Sequence, residues 1–200
     1  MWELSIRRSN ISKVEFFGKT HTYKVNGIVT PSVSKILRTV LFPKQYENVP
    51  RHILENAAQF GTNIHKAIEN DSDEGLTQVE KVCYEQWIKI REKHNINVLS
   101  QEEIVHYEGM YCGTFDGLFE IDGKMYLNDF KTTYKLDKEY ISWQLSFYKV
   151  AYENMYDKKI DGLVAVWLPK KRLGEFVEIE TKTKEQVLEV VDKYYFGDMF

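Results

Sequence analysis

Residues 113–133 read GTFDGLFEIDGKMYLNDFKTT, and this stretch decides the fold. Apolar and polar side chains alternate on both sides of a central Asp-Gly pair, a pattern that predicts a tight β-hairpin. Three charged residues interrupt the alternation: Asp116 in the first arm, then Asp129 and Lys131 in the second. Because side chains alternate across a strand, we expect Asp129 and Lys131 to point the same way, and the hairpin to bring Asp116 close to Asp129.

The charged positions of this hairpin form a candidate functional site. The alternation predicts that one face of the first arm carries Thr114, Asp116, Leu118 and Glu120. Two carboxylates beside one ammonium can hold a divalent metal and assist attack on a phosphate ester. The alternative is a solvated hairpin with an incidental salt bridge, which is common. We favour the site because Leu127 and Phe130, the apolar neighbours of Asp129, do not suit a fully exposed edge.

Asp116, followed after twelve residues by Asp129-Phe130-Lys131, resembles the active-site hairpin of the PD-(D/E)xK nuclease superfamily. It is most similar to the RecB-like exonuclease branch, which includes phage and CRISPR-associated members. Phe115 stands where the family motif has a proline. The resemblance covers roughly residues 55–170, and its specificity comes from several elements that occur in the family's order.

A histidine precedes the hairpin on a predicted helix over residues 51–70. Helical spacing places on one apolar stripe Ala57, Phe60, Ile64, His65 and Ile68. A lone histidine on such a stripe is more often a packed core residue than a ligand. The phrase from Gly61 to His65 resembles the G-x-x-x-H helix of RecB-like nucleases, whose histidine joins the carboxylates at the metal. We therefore predict that His65 is a ligand and that Gly61 allows another backbone to approach closely.

Two further elements carry candidate residues. A helix predicted at about residues 137–156 places Gln144 and Tyr148 one turn apart, which matches the family's Q-x-x-x-Y helix but is also an ordinary helix-surface pair. A strand predicted over residues 96–107 carries two adjacent carboxylates, Glu102 and Glu103, of which only one can face the site. Similar nucleases place a glutamate on this strand, and we choose Glu103.

The resemblance implies a role for each of these residues. One or two Mg²⁺ or Mn²⁺ ions would be bound by His65, Asp116, Asp129 and the backbone carbonyl of Phe130. The catalytic set would be Asp116, Asp129, Lys131, Gln144, Tyr148 and Glu103. DNA would be contacted by Tyr148 and by the basic turn of Lys170, Lys171 and Arg172, for which a solvated hairpin tip is an equal alternative.

Composition sets limits on the protein class. The chain has 200 residues with 43% apolar and 14% aromatic residues, enough for one packed domain. We expect a single nuclease domain over residues 1–200, with a β-hairpin and helix appendage at 1–50 and the core at 51–200. A net charge of −3 gives no overall basic footprint for nucleic acid, although local patches can still hold a phosphate backbone.

Cysteine content and hydropathy add further expectations. Cys83 and Cys112 are isolated thiols, so we expect neither zinc nor a disulfide framework, and two cysteines cannot build the four-cysteine iron–sulfur cluster of some RecB-like nucleases. No apolar segment approaches the roughly 20 residues of a membrane span. The first ten residues, MWELSIRRSN, lack a secretory signal pattern. We expect a cytoplasmic protein, in the host cytoplasm if it is phage-encoded.

The remaining periodicities complete the predicted fold. Residues 14–30 read as short strands around an Asn-Gly turn, followed by a helix capped by Thr30 with Pro31 at its first position. A helix at 77–94, strands at 160–169 and 175–180, and a last helix with a capping box at Thr183 follow. This order predicts an α/β domain with a mixed central sheet and helices on both faces, as in the restriction-endonuclease-like (PD-(D/E)xK) nuclease fold.

The function implied by the resemblance is a metal-dependent DNA nuclease. It would be an exonuclease that hydrolyses phosphodiester bonds from linear duplex or single-stranded DNA ends, leaving 5′-phosphates, in recombination, repair or phage DNA processing. One alternative is a structure- or site-specific endonuclease. The other is a non-catalytic DNA-binding module, which would lack an acidic or lysine position, and none is lost here. A homo-oligomer or a recombination or replication partner protein is compatible with these residues.

Overall fold

The computed structural model describes residues 13–197 except Lys19 and His21, so these two positions of the predicted N-terminal strands lie outside the described residues. The strands are β1 (Val14–Phe17), β2 (Thr22–Val25), β3 (Ile28–Thr30), β4 (Asn97–Tyr107), β5 (Tyr111–Ile121), β6 (Lys124–Lys131), β7 (Gly162–Trp167) and β8 (Glu175–Ile179). The helices are α1 (Val33–Val40), α2 (Arg51–Glu69), α3 (Gln78–Lys93), α4 (Lys138–Tyr156) and α5 (Lys184–Phe196).

The main sheet has five strands in the order β4-β5-β6-β7-β8. All neighbours pair antiparallel except β6 and β7, which are parallel. Parallel neighbours need a crossover connection, and α4 supplies it. The predicted hairpin is confirmed: Asp122 (φ 50°) and Gly123 (φ 74°) form the turn between β5 and β6 with the two positive φ angles that a two-residue turn of this hand requires.

Two apolar cores cover the two faces of this sheet. Helices α1, α4 and α5 pack on one face, and α2 and α3 pack on the other. The apolar run of β7 serves both, because Leu163 and Ala165 belong to the first core whereas Val164 and Val166 belong to the second. A mixed sheet between two helical layers confirms the α/β class. Among the described residues, no helix is long and apolar enough to cross a membrane.

The N-terminal segment forms a separate three-stranded antiparallel sheet, and the turn between β2 and β3 lies at Asn26 and Gly27 as predicted. The predicted start of α1 is wrong. Ser32 rather than Thr30 caps the helix, its Oγ accepting from the Lys35 amide at 3.2 Å. The chain stays extended through Pro31 because the carbonyl of that residue accepts a hydrogen bond from the Cys112 amide at 3.0 Å.

The alternation of side chains is irregular in both β4 and β5 near the site. On β5, Phe115 and Leu118 both belong to the core that contains α4, although they are three positions apart and strict alternation would put them on opposite faces. On β4, Ser100 Oγ donates to Glu103 at 2.7 Å across the same spacing, and the intervening Glu102 has a left-handed φ of 49°. The expectation that Asp116 and Leu118 share a face is therefore wrong, because strict alternation assumes a strand without such irregularities.

Two glycines near the site differ in what they are needed for. A Cβ on Gly113 would lie 2.3 Å from Cε1 of Tyr148, so β5 can pass under this buried ring only with glycine there. A Cβ on Gly61 would meet Thr132 Oγ1 at 3.6 Å, an ordinary contact. The expectation that Gly61 permits a close backbone approach is wrong, because its nearest neighbour is a side chain at normal distance.

These contacts predict opposite effects for two alanine substitutions. Gly113→Ala should lower the free energy of unfolding by about 1–3 kcal/mol, since the added Cβ would force the buried Tyr148 ring or strand β5 to shift. Gly61→Ala, in the middle of α2, should raise it by about 0.5–1 kcal/mol through helix propensity. Urea unfolding followed by circular dichroism measures both. A Gly113→Ala protein as stable as wild type would contradict the packing described for Tyr148.

Candidate metal centre

Three elements bring together three potential metal ligands. Helix α2 supplies His65, β4 supplies Glu102 and β5 supplies Asp116, and one ligand atom of each lies within 4.8 Å of the others. His65 Nδ1 is 3.8 Å from Glu102 Oε1 and 3.7 Å from Asp116 Oδ1. A cavity of about 410 Å³ opens onto His65 and Glu102. Two carboxylates and an imidazole at this spacing suit a divalent cation of the Mg²⁺ or Mn²⁺ type.

Glu102 reaches this group through the irregularity of β4. Its left-handed φ of 49° is uncommon for glutamate, and such conformations concentrate at functional sites. Glu103 belongs to the opposite face, where it accepts from Ser100 and where its side chain meets Tyr156. The prediction of Glu103 is therefore wrong, and Glu102 takes its place. The sequence signal was the Glu-Glu pair itself; the choice between its members depends on the backbone conformation of Glu102.

The orientation of His65 is set by a backbone carbonyl. Nε2 of His65 lies 3.1 Å from the Phe130 carbonyl oxygen, which can only accept, so Nε2 carries a proton and donates it. Nδ1 then faces the two carboxylates. A histidine ligand whose second nitrogen donates to a carbonyl is a recurrent arrangement in metal sites. The Phe130 carbonyl, predicted as a ligand, orients His65 in this structure instead.

Strand β6, the second arm of the hairpin, adds an ion pair near the His65–Glu102–Asp116 group. The Phe130 amide donates to Asp116 Oδ2 at 2.7 Å, which holds that carboxylate with Oδ1 toward His65. Lys131 Nζ lies 2.8 Å from Asp129 Oδ1 and 2.7 Å from Asp129 Oδ2. The expected common direction of Asp129 and Lys131 is thus confirmed. Asp129, a predicted ligand, is ion-paired with Lys131 and is not one of the three clustered ligands.

Burial and charge perturb the pKa values of Asp129, Lys131 and His65. Burial raises the pKa of Asp129 to about 6, Lys131 opposing this and Asp116 adding to it. The pKa of Lys131 is raised because Asp129 and Asp116 outweigh its burial. Burial alone would lower the pKa of His65, but Asp116 and Glu102 raise it to about 9. With His65 neutral, three carboxylates and one ammonium leave two negative charges, which one divalent cation neutralises.

Helix α4 packs on the face of the sheet opposite α2 and forms a second wall of the site. Gln144 Nε2 donates to the Tyr148 hydroxyl at 3.1 Å, so the predicted contact between them is confirmed. Burial, with the nearby carboxylates of Asp129 and Asp116, raises the pKa of Tyr148 well above its ordinary value. Tyr148 is only 4% exposed. Its position suits support of the Asp129–Lys131 pair rather than the direct DNA contact that was predicted.

The predicted basic turn follows β7 and lies along a cleft next to the site. The cleft has a volume of about 310 Å³ and is lined by Ala57, Phe60, Thr132, Thr133, Tyr134, Pro169, Lys170, Lys171 and Arg172. Ala57, predicted to be buried, is exposed at this cleft. Sequence reasoning missed Tyr134, which lies three residues after Lys131 and is 76% exposed. Its only signal was an aromatic residue in the polar segment after the D-x-K strand.

Comparisons with known proteins add a fold-level similarity. No protein-family model matches the chain, and no curated protein sequence is significantly similar to it. Among solved structures the chain is similar to SSO0001, with 15% identity and a TM-score of 0.50, over 84% of this chain and 76% of that one. At this identity the similarity concerns the fold alone.

The geometry predicts that two adjacent glutamates differ in metal binding. Glu102→Gln removes a charged ligand and should weaken Mn²⁺ binding by at least about tenfold. Glu103→Gln is the matched control, because it makes the same change on the other face of β4 and should leave the affinity at the wild-type value. Isothermal titration calorimetry measures both. Equal losses in the two variants, or a loss in Glu103→Gln alone, would show that Glu102 is not a ligand.

The raised pKa of His65 predicts a pH dependence with a definite sign. Without metal, the protonated imidazole stabilises the fold; this contribution is complete below the ordinary value of 6.5 and is lost as pH rises through about 9. A cation on Nδ1 must displace that proton, so Mn²⁺ affinity should rise by about tenfold per pH unit between roughly pH 7 and pH 8.5.

Calorimetry in buffers of different ionisation enthalpy tests the same point directly. About one proton should be released per Mn²⁺ bound at neutral pH. His65→Ala should bind more weakly and release none. Proton release that persists in His65→Ala would assign the proton to another group and remove His65 from the ligand set.

Proposed function

We propose that the protein is a metal-dependent nuclease that hydrolyses phosphodiester bonds in DNA. The observation that carries this proposal is that the Asp129–Lys131 ion pair flanks Phe130, whose amide donates to Asp116 at 2.7 Å and whose carbonyl oxygen lies 3.1 Å from His65 Nε2. A cation site alone would be compatible with many functions. A cation site with an adjacent partly exposed ammonium matches what a dianionic transition state of phosphate-ester hydrolysis requires.

The donor set fits the metal that this chemistry uses. His65, Glu102 and Asp116 would hold Mg²⁺ or Mn²⁺, and the two negative charges that remain once His65 has lost its proton support a divalent ion. When bound, such an ion neutralises phosphate charge and lowers the proton affinity of a coordinated water. Asp129 remains available as a further ligand if Lys131 turns from it toward the substrate.

The chain's own residues would orient and stabilise the reacting groups. Lys131 would place its ammonium against a non-bridging phosphate oxygen, where charge develops as the bond to the nucleophile forms. Asp129 keeps that ammonium charged, since its carboxylate raises the pKa of Lys131. The backbone of Phe130 orients two of these ligands: its amide donates a hydrogen bond to Asp116, and its carbonyl accepts one from His65. Gln144 and Tyr148 support this arrangement from α4.

The resemblance noted in the sequence supports cleavage from DNA ends, with internal cleavage as the alternative. Purified protein incubated with end-labelled linear DNA and with covalently closed circles separates the two, because an exonuclease leaves closed circles intact. Activity should require Mg²⁺ or Mn²⁺ and stop with EDTA. Asp116→Asn should lose cleavage while keeping the wild-type unfolding profile, since it removes one charged ligand of an open site. Full activity in EDTA would exclude the proposed mechanism.

Substitution of Lys131 distinguishes an effect on the cleavage rate from an effect on DNA or metal binding. Lys131→Ala should reduce the single-turnover rate by on the order of a hundredfold, comparable to loss of one transition-state donor. Mn²⁺ affinity should not fall, because the substitution removes a cation and leaves every proposed ligand. Lys158→Ala, an exposed lysine before β7 at the other end of the strand, is the control. Weaker DNA binding by Lys131→Ala, with normal cleavage at saturating DNA, would make Lys131 a backbone contact only.

A further inference from the structure

The cleft beside the candidate metal centre combines an apolar floor with a cationic rim. Its floor is formed by Ala57 and Phe60 of α2, and its rim carries Tyr134, Lys171 and Arg172. The volume of about 310 Å³ is comparable with that of small ligand sites. The cleft is not used by the metal chemistry described above, so its composition calls for a separate explanation.

Tyr134 is displayed at this rim rather than packed into the protein. It is 76% exposed even though the Arg172 guanidinium carbon lies 5.0 Å from its ring centroid. The chain around it is anchored: the Trp167 indole donates to the Thr133 carbonyl at 2.7 Å, and Gln86 donates to the Arg172 carbonyl at 3.0 Å. The ring and the guanidinium are therefore presented from held backbone, which lowers the entropic cost of binding something between or upon them.

A continuous path joins the cleft to the metal centre. Ala57, Gly61 and His65 follow one another at four-residue intervals, so they lie on one stripe of α2. Gly61 faces Thr132, which directly follows Lys131. Ala57 and His65 are eight residues apart, about 12 Å along the helix axis, which corresponds to about three to four stacked nucleotides of one strand.

We propose that this cleft is a nucleobase-binding site for a single-stranded nucleic acid, in which an unpaired base stacks on Tyr134 while Lys171 and Arg172 contact the adjoining phosphates. The proposal rests on the function proposed above and deepens it, because it makes the preferred substrate a single-stranded segment or end. A base inside a duplex has both faces covered and offers none to Tyr134. Aromatic stacking next to basic side chains is how sequence-tolerant single-strand binding is achieved.

Charge complementarity supports this occupant. The whole chain is acidic, with a net charge of −3, yet the lining of this cleft includes three consecutive cations, Lys170, Lys171 and Arg172. Lys170 already lies 3.7 Å from the Phe60 ring centroid, so it covers the floor, whereas Lys171 and Arg172 remain at the exposed rim. A polyanion that also carries flat apolar surfaces can pair its charges with the cations of the rim and pack its apolar surfaces against the floor.

Fluorescence anisotropy in EDTA measures binding without cleavage. The probes are a labelled oligothymidylate, the matching oligouridylate and a blunt duplex of the same length. Wild type should bind either single strand more tightly than the duplex. Tyr134→Ala should weaken single-strand binding by at least about fivefold and leave duplex binding unchanged, whereas Tyr134→Phe should keep wild-type affinity because it keeps the stacking face.

The salt dependence tests the phosphate contacts. Lys171→Ala should reduce the slope of log affinity against log salt by about 0.7 for the single strand, the value for one lost phosphate contact. Lys158→Ala, which removes an exposed lysine far from the cleft, should leave the slope at its wild-type value. An unchanged slope in Lys171→Ala would remove that residue from the proposed site.

The outcomes separate this inference from the nuclease proposal. Metal-dependent cleavage with no effect of Tyr134→Ala, or with tighter duplex than single-strand binding, would overturn the inference and leave the nuclease function standing. Single-strand binding that depends on Tyr134 without any cleavage would overturn the nuclease function and keep the binding site. Equal losses of single-strand affinity in Tyr134→Phe and Tyr134→Ala would show that Tyr134 acts through its hydroxyl group. This result would refute the proposed stacking.

Discussion

Three carboxylates gathered at the end of β6 are the constraint on which the rest of the site depends. Potential ligand atoms of Glu102 and Asp116 lie within 4.8 Å of each other, Asp116 also repels Asp129, and burial raises the pKa of Asp129 to about 6. Without metal, the cluster is held by two cations, His65 and Lys131, and by one backbone amide. A divalent ion can replace the proton of His65 and leave Lys131 available for chemistry, so the excess of carboxylates favours binding of a cation.

The main chain of Phe130 connects the two halves of this arrangement. Its amide holds Asp116, its carbonyl holds His65, and its ring lies 5.0 Å from that of Trp87 in the core beneath α2 and α3. Flanking it, Asp129 and Lys131 face the other way, toward the wall formed by α4. The strict alternation of β6 thus serves both faces of the sheet, and β6 lies inside the sheet between β5 and β7.

Short-range signals in the sequence predicted most of the fold correctly. The Asp-Gly turn, the capping box at Thr183, the common direction of Asp129 and Lys131 and the contact of Gln144 with Tyr148 all depend on residues at most a few positions apart. Their geometry follows from local backbone preferences and from the period of a strand or helix. These features, together with the class of mixed sheet and flanking helices, were determined by the sequence alone.

Long-range pairing and backbone irregularity decided the rest. The choice of Glu102 over Glu103 depends on which face of β4 is turned toward α2, and the adjacent pair of glutamates does not reveal this. The role of the Phe130 carbonyl depends on the approach of α2 to β6, and the cleft at Tyr134 depends on the meeting of α2 with the segments after β6 and β7. These contacts join residues more than thirty positions apart, and their geometry results from the packing of whole elements rather than from any local pattern.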